Sequence, residues 1–284
     1  MQLHSLVEPV YFPETDQQSV IRLGLTKLSI NQWLHIDLDF PQFLQHKLEQ
    51  EEARKDKVFA ETEQSRAAQA EFCHVLKAHL LKHWPDHYQA EDDRLVHLPS
   101  GTTWSANTTS LWDSSLWIQD DVCLLENSAD NHVMTAASLC SPSNWKLEDK
   151  IGESVDWIHQ PVPGYQEQLA VRVNKLLAGL KPMKPVLRFN WSVQRGNELC
   201  WREDVTADGG ENYFWRVERQ TLIRLPETGA IVFAIRLFLH SFNTMNRLGA
   251  FNANLATVIA RQSDSIREYK ELDDALLKRL QGKE

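Results

Sequence analysis

Several things are missing from this chain of 284 residues, and each absence narrows what it can do. Its most apolar run, residues 230–239 (AIVFAIRLFL), carries Arg236 and falls short of the roughly 20 apolar residues that a membrane-crossing helix needs. The N-terminus, MQLHSLVEPVYFPETD, lacks a basic segment followed by an apolar stretch, so no secretory leader is expected. Cys73, Cys123, Cys140 and Cys200 lie far apart with no CxxC pair, which argues against a zinc site or an iron–sulfur cluster. Reduced thiols and a cytoplasmic location are the expectation. There is no GxGxxG, GxxxxGK[ST] or GxSxG, hence no signature of a phosphate cradle or a nucleophile elbow. A net charge of −9 speaks against nucleic acid and anionic membranes as partners.

What is present suits a globular protein. Hydrophobic residues make up 42% and charged residues 24%, near the usual balance. Ten tryptophans are the one oddity; they read either as bulky core or as rings around a flat ligand.

Residues 1–40 look like an irregular arm. From about 43 to 84 there is no Gly or Pro, and strong helix formers predict one or two helices. Residues 121–126 and 132–139 are strand-like around the turn-forming cluster 127–131, which predicts a hairpin. Residues 143–150 suggest a short helix with a serine cap, and 165–180 a helix ending near Gly179. After Pro182 and Pro185 the period becomes two, and 186–193, 199–203, 214–225 and 230–240 read as strands joined by Gly-containing turns. Residues 244–284 look like two amphipathic helices. Short connections make the meander antiparallel, so the fold class expected is α+β, one antiparallel sheet with flanking helices and helical extensions at both ends. The expected division is an arm and helical segment (1–117), a core (118–243) and C-terminal helices (244–284), packed as one unit.

Alternation in 214–225 puts Arg219 on a mostly apolar face, where a guanidinium needs an anion. That anion is either an internal carboxylate or a carboxylate or phosphate of a ligand. Arg188 and Asn190 share a face of 186–193. Arg216, Glu218 and Arg224 read as a solvent-facing charge ladder. His159 ends a short apolar piece and precedes Pro161 and Pro163, a stiff segment that suits either a structural histidine or an axial haem ligand. His79 and His83, at helical spacing without HExxH, read as a solvated face rather than a metal site.

Five motifs follow one another in order: 118–125 (IQDDVCLL), 140–145 (CSPSNW) with 150–152 (KIG), 158–165 (IHQPVPGY), 188–191 (RFNW) and 216–226 (RVERQTLIRLP). Together they resemble the bacterial family of haem-dependent oxidative N-demethylases over roughly residues 20–245, departing at Asp120, where Glu is usual. The resemblance implies a PAS-like core holding haem b and a monooxygenase that removes a methyl group from a small secondary amine such as dimethylamine. It further implies a separate reductase polypeptide supplying electrons from NADPH through flavin and an iron–sulfur cluster. On that view His159 is the iron ligand, Arg188, Arg216, Arg219 and Arg224 are candidates for the propionates, and Tyr165, Asn190 and Trp191 line the catalytic pocket. The alternative is a non-enzymatic PAS-like sensor of haem or another small molecule.

Overall fold

The structure, a computed structural model, describes residues 5, 7–15, 23–128, 131–202 and 212–282. Along the chain run β1 (Thr26–Lys27), α1 (Phe40–Val58), β2 (Phe59–Glu61) and α2 (Arg66–His83). Three short strands follow, β3 (Tyr88–Glu91), β4 (Arg94–His97) and β5 (Thr102–Ser105), then α3 (Leu111–Ser115). Next come β6 (Asp121–Ser128), β7 (Asn131–Ser138), α4 (Val155–Ile158), and a π-helical turn (Tyr165–Leu169) leading into α5 (Ala170–Gly179). The long strands are β8 (Val186–Arg195), β9 (Tyr213–Arg224) and β10 (Ile231–Ser241). Four short helices close the chain: α6 (Phe242–Arg247), α7 (Phe251–Ala260), α8 (Asp264–Tyr269) and α9 (Asp274–Leu280).

Seven strands form one sheet in the order β1-β8-β9-β10-β6-β7-β2, with antiparallel pairing throughout. The fold is α+β, as the alternation and short connections imply. β2, which follows α1 directly, pairs with β7 and so ties the first helix to the core sheet. β3, β4 and β5 make a second, small sheet.

Some elements differ from the sequence expectation. The residues around 143–150 form only a 3-10 turn at Leu147–Asp149, and its cap position is Lys146 rather than a serine. Residues 199–202 are not a ladder strand; Trp201 makes one isolated bridge to Ser143. Residue 203, the tip of the 127–131 turn and most of the 208–212 turn lie outside the described residues. The C-terminal region is four short helices rather than two, cut where Gly249 takes φ +146° and where Ser263 and Asp273 open new helices.

The sheet buries both faces, unequally. One face carries Trp215, Val217, Thr221 and Ile223 of β9. The N-terminal arm and α2 cover one end of it, where Trp33, Phe72 and Trp117 are fully buried. Helices α6, α7 and α9 cover the other, with Phe242, Phe251, Leu255 and Leu276 packed on Trp191, Trp215 and Phe238. Each such ring removes roughly 150–250 Å² of surface from water, so for Trp33, Trp117, Trp191 and Trp215 the core reading of tryptophan holds. The opposite face is covered by α4 and α5 at one end and by α1 at the other.

Candidate functional site

Strand register defines the second face. Arg188 pairs with Gln220 and Asn190 with Glu218, and Phe233 and Ile235 of β10 stand beside Leu222 and Gln220. All therefore point the same way. At one end Leu177 and Leu180 pack on Leu222 and Ile231, together with Val155 and Ile158 of α4. At the other, Phe43 packs on Leu199, Leu237 and Leu239. Between these lids Val186, Arg188, Asn190, Glu218, Phe233 and Ile235 are only half-buried. A water-facing sheet surface ordinarily carries polar side chains; Phe233 and Ile235 instead lay an apolar floor on an interior strand.

His159 stands at the wall of this opening. The Ser154 side chain accepts from the Trp157 N–H at 3.2 Å and starts the single turn of α4, and His159 caps its end. Its Nδ1 lies 2.8 Å from the Val155 carbonyl, so Nδ1 carries the proton and Nε2 keeps a lone pair. Nε2 makes no hydrogen bond with a described residue. Burial pushes the imidazole pKa down; the Val155 bond opposes this, and the Arg188 guanidinium adds to it. The ring lies 5.0 Å from that of Tyr165 at 14°, a stacked pair. Tyr165 reaches this position through the turn at Gly164, whose φ of +71° strains any residue but glycine.

The Tyr165 hydroxyl donates to Asp156 Oδ1 at 3.0 Å. Asp156 Oδ2 accepts from Asn131 Nδ2 at 2.8 Å and from Asn174 Nδ2 at 2.9 Å. Burial and the Asp156 carboxylate raise the Tyr165 phenol, so it stays protonated and donating.

A polar group borders the other side. Glu218 Oε2 accepts from Asn190 Nδ2 at 3.1 Å and Gln220 Nε2 at 2.8 Å. Lys270, just past α8, donates to Asn190 Oδ1 at 3.2 Å and to the Trp191 carbonyl at 2.6 Å. Burial lowers its ammonium to about 8, against the pull of Glu218. Arg188 lies close enough to act on both His159 and Lys270.

The residues singled out from sequence thus fall into two groups. His159, Tyr165, Arg188 and Asn190 gather around the open floor. Arg216 shares the face but is fully buried, donating to Gln194 Oε1, the Leu199 carbonyl and the Ser141 carbonyl. Arg224, at the far end, donates to the carbonyls of Leu177, Leu180 and Gly229. Arg216 and Arg224 do not form a solvent-facing ladder with Glu218, because the 199–202 segment and α5 cover the two arginines while Glu218 is half-buried. Arg219 lies on the opposite face and donates to the carbonyls of Gln32 and Trp33, with Asp120 as the neighbouring carboxylate. The Trp191 ring is also on that face, 4.8 Å from Trp215.

Asp156, Gln220 and Lys270 had drawn no attention in the sequence. Alternation could have found Gln220, which follows Glu218 on the same face. Nothing local marks Asp156 or Lys270.

The α+β fold thus brings half-buried Phe233 and Ile235, the His159 imidazole and the Arg188 guanidinium to one side of its sheet, the kinds of group that a flat ligand with a metal centre would use. Residues 24–276 match the family described as haem-dependent oxidative N-demethylase, alpha subunit-like, and the chain belongs to it. The residues fit the haem which that family requires: a lone pair on His159 Nε2, Phe233 and Ile235 for the macrocycle, and Arg188 for a propionate. Among the described residues no three His, Cys, Asp or Glu side chains are grouped to hold a metal ion. No helix among the described residues is long and apolar enough to cross a membrane.

Proposed function

We propose that this chain is the haem-bearing subunit of an oxidative N-demethylase, a monooxygenase acting on a small secondary amine such as dimethylamine. Phe233, Ile235, His159 and Arg188 would hold haem b, and a separate reductase polypeptide would deliver electrons from NADPH through its own flavin and iron–sulfur centres. The PAS-like reading of the sheet and its helices belongs to the same proposal. The observation that carries it is the pairing of a half-buried apolar floor on an interior strand with a neutral imidazole whose Nε2 is uncommitted.

When bound, the haem supplies the one-electron and dioxygen chemistry; the protein positions and excludes water. His159 holds the iron through Nε2, and the Val155 carbonyl keeps the proton on Nδ1. Arg188 meets a propionate with its planar fork. Phe233, Ile235 and Val186 keep the floor dry. Asn190 and Gln220 hold the Glu218 carboxylate in place at the rim. The ring of Trp191 supports β8 from behind while its carbonyl anchors Lys270.

The test is formaldehyde release. Protein reconstituted with haem, given oxygen, dimethylamine and a reductase with NADPH, should form one formaldehyde per amine consumed. Haem binding without any turnover across a panel of methylated amines would favour a sensor instead.

A further inference from the structure

The environment of His159 assigns a role to a residue that touches neither floor nor opening. We infer that Asp156 is the positioning residue for the axial imidazole, acting through Tyr165; this rests on His159 being the iron ligand.

The Nδ1–Val155 bond fixes the tautomer of His159 but leaves the ring free to swing about that bond. A second contact is needed to fix its plane, and the Tyr165 ring provides it, stacked at 5.0 Å and 14°. A stacked pair alone is worth only about 0.5–1.5 kcal/mol beyond its burial, so the tyrosine must itself be held. Its hydroxyl donates to Asp156 Oδ1, and the other oxygen of that carboxylate is held by two amides, Asn131 from β7 and Asn174 from α5. Four parts of the fold (β7, α4, the π turn and α5) thus meet at one carboxylate.

The widened π turn is part of the device, since π-helical turns recur at functional sites. It begins at Tyr165 and ends in α5, so Tyr165 and Asn174 reach the same carboxylate from successive stretches of one helical segment. Outer partners of metal ligands set ring orientation and ligand strength, and their loss typically costs about 10–100-fold in metal affinity. Tyr165 is therefore also a positioning residue, one link closer to the iron.

The test uses the full chain loaded with haem, reading ferric electron paramagnetic resonance and the rate at which haem passes to a scavenging apoglobin. Tyr165→Phe keeps the ring and removes only the tether, so it avoids the folding risk of Asp156→Ala. Asp156→Asn removes the carboxylate charge and keeps its shape. Both should broaden or shift the ferric signal and speed haem loss about tenfold or more, whereas Arg66→Ala, at an exposed residue opening α2, should not shift the signal. If both variants keep the wild-type signal and off-rate while His159→Ala changes them, the positioning role is wrong and the ligand assignment survives. If His159→Ala also leaves them unchanged, both fall.

Discussion

Lys270 donates to the main-chain carbonyl of Trp191 at 2.6 Å, a few residues beyond the point where β1 stops pairing with β8. Among the described residues β1 pairs only with Val186 and Leu187 of this edge of β8. Further along the same strand the Lys270 ammonium takes the Trp191 carbonyl and sits 5.1 Å over the Trp191 ring.

This contact makes a prediction about alkaline pH. Burial holds Lys270 at about 8 in the fold, against 10.5 for an ordinary lysine. The unfolded chain therefore binds the extra proton between those values, and the Lys270 contribution to stability rises as pH climbs from about 8 to 10.5. Urea unfolding of wild type and Lys270→Met across this range should show the rise in the first and its loss in the second. Parallel pH profiles would contradict the account.

The buried imidazoles act at the other end of the scale. Burial pushes His46, His79 and His97 each down to about 4. They are neutral in the fold and protonate on unfolding, so stability is lost as pH falls from about 6.5 towards 4. His79, expected on a solvated face, is 4% exposed, and neither of its ring nitrogens has a partner. His79→Leu should therefore flatten the acid limb of a thermal-melt profile while changing Tm at pH 8 far less.

Asp120 should show the opposite sign for a carboxylate. It is fully buried, neither carboxylate oxygen has a hydrogen-bond partner among the described residues, and burial raises it to about 6 despite Arg219, Arg236 and Lys47 nearby. A raised folded pKa costs stability as pH rises from 3.8 through about 6. Asp120→Asn should gain on wild type over that window, by at most about 3 kcal/mol, and stay level above it. A variant less stable at every pH would show that the three cations outweigh the burial.

Two arginines of the same sheet should separate cleanly. Arg188→Met should weaken haem binding about tenfold or more, the worth of a charge-assisted bond. Arg219→Met should lower Tm, because it strips the Gln32 and Trp33 carbonyls of their donor, and leave haem affinity near wild type. Visible titration and melting curves of both variants check this.

Much of the framework was legible in local pattern. The change to a period of two after Pro185 marked the long strands, and the alternation placed Arg188 and Asn190 on one face. Alternation does not say which face is covered by which helix, so it leaves open whether Arg219 meets an internal carboxylate or a ligand; it faces the N-terminal arm 186 residues away, with Asp120 as the nearby carboxylate. The four-residue strands β3, β4 and β5 were too short to show a period. The grip on Tyr165 was beyond local reading, because Asn131 and Asn174 come to Asp156 from 25 and 18 residues away. Their meeting is a product of tertiary packing. His159 was conspicuous because its prolines stiffen the chain beside it.

The most direct test of the central claim is a haem titration of wild type and His159→Gly, followed by visible spectra with and without added imidazole. The account predicts a Soret band for wild type with one haem per chain, a changed ferric spectrum for the glycine variant, and recovery of the wild-type spectrum when free imidazole fills the space. A wild type that takes up no haem, or a variant whose spectrum matches wild type before imidazole is added, would contradict it.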